Sequence, residues 1–300
     1  MNTDVMHPAG PDMEWSESYY FNFYDPGSNI CCFTRIGVKP NMDERTMFLF
    51  LMLPDGSLVG MREQDALGNG DLSVKGLSYA KLEDEKRWAI RYEGPLVRMG
   101  TQEVVMASLD LEFRCLNPVY DYRDSVTAEG ERIARRVASE HLEQFGRMTG
   151  SVRINGSETA ISGLGERDHS WGVREWTAPK MWIWLTAEFD EGTALNVTKL
   201  LTEEGEVSAG FIHLHGRNLP IVSAEVRTTF DEQGRPSSLD LLISDKEGGV
   251  HKVTAEVMKT AQLPFPSRDG KAVSLLSENL ARYRWGGKEG YGIAEFLKRQ

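Results

Sequence analysis

Cysteine is scarce. The chain of 300 residues holds three, two of them adjacent (Cys31, Cys32) and one distant (Cys115). Neither a CxxC pair nor a disulfide framework can be built from them, which points to a reducing compartment. Basic residues are also in short supply, with 34 Lys+Arg against 45 Asp+Glu and a net charge of −11. A phosphate backbone or an anionic membrane surface needs clustered cations, so neither is an expected partner. Long apolar runs are missing, and no stretch approaches the ~20 residues of a membrane span. Residues Met1 to Glu14 carry Asp4 and Asp12 and no apolar run of signal-peptide length. The expectation is a cytoplasmic protein. Nor is there a Gly-x-Gly-x-x-Gly, a Walker loop, a Gly-x-Ser-x-Gly elbow or a His-Glu-x-x-His. Nucleotide, nicotinamide and serine-hydrolase chemistry are disfavoured, and no cofactor is expected. Composition is otherwise that of a globular protein, 40% hydrophobic and 26% charged.

Most of the chain reads as β. The extended run Arg45–Leu53 meets a turn at Asp55-Gly56 and continues through Ser57–Arg62. Two extended runs joined by Asp-Gly make a strong hairpin signal. Asn155-Gly156, Glu191-Gly192, Glu204-Gly205, Gln233-Gly234 and Gly248-Gly249 punctuate the rest in the same way. Turns at short, regular spacing imply antiparallel meanders closed into barrels or sandwiches. One segment departs from this pattern. From Thr127 to Phe145, the residues Ile133, Ala134, Val137, Ala138, Leu142 and Phe145 follow three-and-four spacing, with Gly146 as a stop. That spacing predicts an amphipathic helix. The chain is therefore read as two β domains, 1–145 and 146–300, the first ending in a connecting helix near 127–145. A single large sandwich is the alternative.

The unusual residues gather in Gly163–Trp176, which carries Arg167, Asp168, His169, Ser170, Trp171, Arg174, Glu175 and Trp176. With Trp182 and Trp184, four of the seven tryptophans fall within 14 positions. On extended backbone, alternate residues share a face. Arg167, His169 and Trp171 then point one way, Asp168 and Ser170 the other. Trp182, Trp184, Thr186 and Glu188 share a face on the next strand. Indoles beside one imidazole and several charges suit a pocket, in which Arg174 and Trp176 also take part. The plainer reading is an ion pair and core tryptophans that hold a barrel end together.

Three further features carry chemistry. His213 and His215, read on one strand face, have metal-ligand spacing, although a polar strand lining a cavity or solvent explains them equally. The run Trp15–Tyr24 puts Tyr20, Asn22 and Tyr24 on one face and Tyr19, Phe21 and Phe23 on the other, as in a strand buried on both sides. Tyr20 is a candidate for a ligand cavity. The tail Glu289–Phe296 reads as a closing barrel strand, with Glu295 as an inward candidate acid.

Gly165-Glu-Arg-Asp-His-Ser-Trp-Gly-Val-Arg-Glu-Trp176 resembles the signature of a lipocalin-like superfamily that includes carotenoid hydratases, kievitone hydratase and lipocalin-like Diels–Alderases. Glu143–Gly150 and Gly290–Glu295 resemble a bacterial branch of the same group. The resemblance is most specific over about 141–176. It implies an all-β fold of two lipocalin-like antiparallel β-barrels, or barrel and sandwich domains, packed side by side, with a ligand cavity at or near their interface. It implies activity on bulky hydrophobic molecules without redox cofactor or metal, by adding water to an alkene or folding a polyene for cycloaddition. The His-x-Trp of that motif, linked with activity in the hydratases, falls on His169 and Trp171. The accompanying acid is open among Asp168, Glu188 and Asp190.

The expected function is a cofactor-independent lyase (hydratase or dehydratase) or isomerase/cyclase acting on an isoprenoid, polyketide or aromatic molecule. His169, Asp168 and Glu188 are the catalytic candidates. Trp171, Arg174, Trp176, Trp182, Trp184, His213, His215 and Tyr20 are the ligand-binding candidates. The competing reading is a lipophilic-ligand carrier or sensor, and a metal enzyme through His213 and His215 is a third. A homodimer is left open.

Overall fold

The computed structural model describes residues 3–299 apart from 70, 128–129, 131, 134–139, 175–178, 267–270 and 272. The strands are β1 (Trp15–Asp25), β2 (Ile30–Lys39), β3 (Glu44–Met52), β4 (Leu58–Ala66), β5 (Ser73–Val74), β6 (Leu77–Glu83), β7 (Arg87–Arg98), β8 (Val104–Cys115), β9 (Tyr120–Asp121), β10 (Glu140–Ile154) and β11 (Ser157–Val173). They continue as β12 (Met181–Asp190), β13 (Thr193–Leu201), β14 (Glu206–Leu214), β15 (Arg217–Phe230), β16 (Pro236–Asp245), β17 (Val250–Pro266), β18 (Val273–Trp285) and β19 (Lys288–Arg299). Among the described residues, helical turns are confined to Pro40–Met42, Tyr122–Asp124 and residues 130, 132 and 133. No helix among the described residues is long and apolar enough to cross a membrane. The architecture is all-β, as two lipocalin-like domains require.

The chain divides into two compact units, Met1–Val119 with Leu142–Gly172, and Tyr120–His141 with Val173–Gln300. It does not follow the single cut expected after residue 145. The cause is the long return of β10 and β11 to the first unit, where β10 pairs with β8 from Gly146↔Cys115 to Ile154↔Ala107.

In the first unit the strand order runs β4-β3-β2-β1-β11-β10-β8-β7, and β4 pairs back to β7 through Val59↔Arg98 and Gly60↔Val97. The path therefore closes on itself. On β8, Val105, Ala107, Leu109, Leu111 and Phe113 alternate with more exposed residues, the pattern of a strand with one solvated face. On β1 every residue from Trp15 to Asp25 is buried, so both faces are covered. Tyr19, Phe21 and Phe23 enter the unit's apolar core.

The predicted helix over 127–145 is corrected in its last part, since Glu140–Phe145 belongs to β10. Ala134, Val137 and Ala138 lie outside the described residues. His141, Leu142, Glu143, Gln144 and Phe145 are all buried. A strand covered on both faces lacks two-residue alternation, so apolar spacing over a few residues cannot separate it from a helix.

The second unit contains a closed barrel, β12 to β19 in sequence order, sealed by β12 against β19. Ile183, Leu185, Ala187, Val197, Leu241 and Phe296 belong to its interior cluster. The Gly-containing turns between these strands fall where the hairpin signals placed them. The closing strand is the tail expected from sequence, but Ala294 and Phe296 are its inward residues. Glu295 pairs with Trp184 and Glu278 on the opposite face, and the expected inward acid is corrected accordingly.

Candidate active site

The signature strand β11 lies against β1 through two glycines. A Cβ on Gly163 would stand 2.5 Å from the Tyr24 carbonyl oxygen, and one on Gly165 only 2.0 Å from that of Asn22. Both distances are below any real carbon–oxygen contact, so glycine is required at this approach. Moving up β11 from Gly163 to Ser170, the partners on β1 descend from Tyr24 to Ser18, so the strands run antiparallel. This brings His169 beside Glu17.

Alternation sorts the signature as the sequence predicts. Ser170 turns to one face, where its hydroxyl lies 3.1 Å from that of Ser18. Arg167, His169 and Trp171 turn to the other, where the segment Thr3–His7 lies over them. His169 Nδ1 lies 2.8 Å from the Thr3 carbonyl oxygen, and its Nε2 lies 2.8 Å from Glu17 Oε1. His7 donates its backbone N–H to Glu17 Oε2 at 2.8 Å and places Nδ1 2.9 Å from Oε1. Both Glu17 and His169 side chains are 0% exposed, and that of His7 is 25% exposed.

Rings hold the imidazoles in place. His169 stacks on Tyr19 at 4.0 Å between centroids, and His7 stacks on Trp171 at 3.8 Å and 11°. Burial, and after it the charges of Glu17 and Asp4, pushes the Tyr19 phenol far above its ordinary pKa, so it stays neutral.

Proton counting gives this cluster chemical content. A carbonyl oxygen only accepts, so His169 Nδ1 carries a hydrogen. Nε2 then meets Glu17 either as an imidazolium N–H facing a carboxylate or as a neutral nitrogen facing a carboxylic acid. In both cases the 2.8 Å contact contains one exchangeable proton.

A second polar group sits alongside on the same face. Arg167 donates from Nε to Gln144 Oε1 at 2.9 Å, and its Nη2 forms an ion pair with Asp4 Oδ1 at 2.9 Å. Glu85 N donates to Asp4 Oδ2 at 2.6 Å, and Gln144 Nε2 donates to the carbonyls of Asn117 and Glu85. The guanidinium also stands 5.7 Å from the Trp88 ring centroid. A buried charge needs such partners on every side.

The other candidates fall elsewhere. Asp168 is on the face of β11 opposite His169, so the two do not act as adjacent partners. Tyr20 is buried on the face of β1 opposite Tyr19, edge-on to Phe48. Arg174 is half-buried just past the end of β11, and Trp176 lies outside the described residues.

In the second unit, Trp182, Trp184, Thr186 and Glu188 are buried on the face of β12 turned away from the barrel interior. There His141 stacks on Tyr122 at 4.6 Å with Trp182 at 6.1 Å, and Tyr122 donates its hydroxyl hydrogen to Asn196 Oδ1 at 2.7 Å. His213 and His215 do not converge, and that expectation is corrected. His213 is buried on β14 with Nδ1 bonded to Asn218 Oδ1 at 2.7 Å. His215 is exposed in the following turn with φ +53°, beside Gly216 at +74°. The two-residue reversal ends the strand before His215, which breaks the shared face.

Sequence reasoning missed Glu17, His7 and Asp4. Glu17 sits inside the aromatic run that drew attention, and one acid among large rings on a buried strand was the available signal.

The fold is that of two lipocalin-like β domains. The chain belongs to the family described as domain of unknown function (DUF7064), whose model matches residues 1–300. None of the curated proteins is a match by sequence. Among solved structures, a protein assigned as an AttH of Nitrosomonas europaea is similar at 12% identity and TM-score 0.62, over 97% of this chain and 94% of that one. CghA in complex with Sch210972 is similar at 12% identity and TM-score 0.61, over 99% and 94%. Kievitone hydratase from Nectria haematococca is similar at 13% identity and TM-score 0.59, over 94% and 88%.

Proposed function

We propose that this protein is a lyase or isomerase, of the hydratase, dehydratase or cyclase kind, that acts on a hydrophobic small molecule through acid–base groups of its own chain. The observation that carries the reading is the 2.8 Å contact between Glu17 and His169, both of them buried. Its fold is shared with kievitone hydratase and with CghA, which agrees with that kind of chemistry. In hydration, the alkene π pair takes the proton to form a C–H bond, water adds to the other carbon, and the added water returns a proton to the base. In cyclisation no water is gained. The Trp171 indole supplies a ring face that favours a developing cation.

The test is incubation of the purified chain with isoprenoid, polyketide and aromatic alkenes in D2O, followed by mass spectrometry. Hydration adds one D2O with one deuterium bound to carbon, and acid-initiated cyclisation changes retention and exchanges one hydrogen for deuterium with no water gained. His169→Ala and Glu17→Gln should each lower turnover on the order of 10²–10⁴-fold with the β circular-dichroism signature kept. Binding of these molecules without any conversion would replace the enzyme with a carrier.

A further inference from the structure

Two imidazole nitrogens and one carboxylate oxygen of the first unit converge on a single point. They are His7 Nδ1, Glu17 Oε1 and His169 Nε2, all within 4.8 Å of one another. The geometry points to a binding site here for a first-row divalent metal ion, held by these three atoms with further positions open.

The carboxylate oxygens of Glu17 are not used alike. Glu17 has two, and both histidine nitrogens face the same one, at 2.8 and 2.9 Å. The other oxygen is held by the His7 backbone N–H. Two ring nitrogens gathered on one carboxylate oxygen put three possible ligand atoms side by side. The spacings agree. With metal–donor distances of about 2.0–2.1 Å, two ligands at a right angle lie about 2.9 Å apart and at a tetrahedral angle about 3.3 Å. The two observed contacts match right angles at a shared ion, and a set of two histidines and one carboxylate leaves further positions open.

The surroundings are those of a metal site. A ligating imidazole usually donates its second N–H to a carbonyl or carboxylate, which fixes the tautomer and turns the lone pair toward the ion. His169 does this through Nδ1 to Thr3. Trp171 fixes the plane of the His7 ring by stacking, and Tyr19 that of His169. The partial exposure of His7 provides the way in. An ion at this point takes the place of the shared proton, so metal-loaded and metal-free chains are two forms of one site. The inference does not depend on the reaction proposed above, because its readout is bound metal and not turnover.

The experiment uses the full chain, stripped with a chelator. Cobalt(II) is titrated and followed by its visible d–d absorption, and zinc(II) by equilibrium dialysis. The expected result is one ion per chain at micromolar affinity or better. His7→Ala, which removes a half-exposed ring, should weaken binding by at least about tenfold at an unchanged melting temperature. Glu17→Gln should weaken binding by a similar factor, while His215→Ala and His251→Ala should bind as wild type does. Millimolar binding by the wild type, or a His7→Ala chain that binds as tightly as wild type, overturns the site.

Discussion

His169 and Thr3 are 166 residues apart in sequence, yet the imidazole donates its Nδ1–H to the Thr3 carbonyl at 2.8 Å. The other ring nitrogen is held by Glu17, so the signature strand, β1 and the N-terminal segment meet at one ring. Replacing His169 by Phe keeps the stack on Tyr19 and leaves the buried Glu17 carboxyl only its His7 contacts. Loss of one partner of a buried pair costs about 3–5 kcal/mol. Urea unfolding should show a loss of that size, and Glu17→Leu in the same chain should recover part of it. A double-mutant cycle with no coupling would show that the two groups do not interact.

Asp4 and Arg167 make the second such test. Their side chains are buried and 2.9 Å apart. Asp4→Ala should destabilise the chain by about 3–5 kcal/mol and open the first residues to proteolysis. Glu158→Ala, which removes a solvent-exposed partner of Arg153, should leave the unfolding midpoint where it is.

Gly165 tests whether the close approach of β11 and β1 builds the cluster. An alanine methyl has no room beside the Asn22 carbonyl. Gly165→Ala should cost more than about 3 kcal/mol and shift the His169 imidazole resonances in NMR spectra. Retention of both stability and those shifts would contradict the register described here.

Alkaline pH supplies a prediction with a definite sign. The buried Tyr92 hydroxyl donates to the Pro95 carbonyl at 2.7 Å, and burial, with Glu63 nearby, pushes its pKa up to about 12. An unfolded tyrosine ionises near 10. The stabilisation is therefore complete below pH 10 and is lost as the pH rises from 10 through about 12. Tyr92→Phe should flatten the fall of the urea midpoint across that window.

Much of the fold was legible because hairpins announce themselves locally. Asn155-Gly156 needs φ of +49° and +85°, which few other pairs adopt, so the turn is written in two residues. The alternation of Arg167, His169 and Trp171 was legible for the same reason, since a strand repeats every two residues. The last part of the predicted helix failed where β10 is covered on both sides, because burial on both faces erases the period. His215 failed because the reversal arrives one residue earlier than the apolar pattern suggests.

From sequence alone came an antiparallel β protein, its hairpin register, and a strand with one imidazole and one indole on the same face. Those are consequences of backbone sterics and side-chain period, which act over a few residues. Only the tertiary structure decided that Glu17 and His7 are the partners of that imidazole, that Asp168 is not, and that the chain returns to its first unit through β10 and β11. Such pairings join residues more than a hundred positions apart, and no local preference encodes which distant strand will lie alongside.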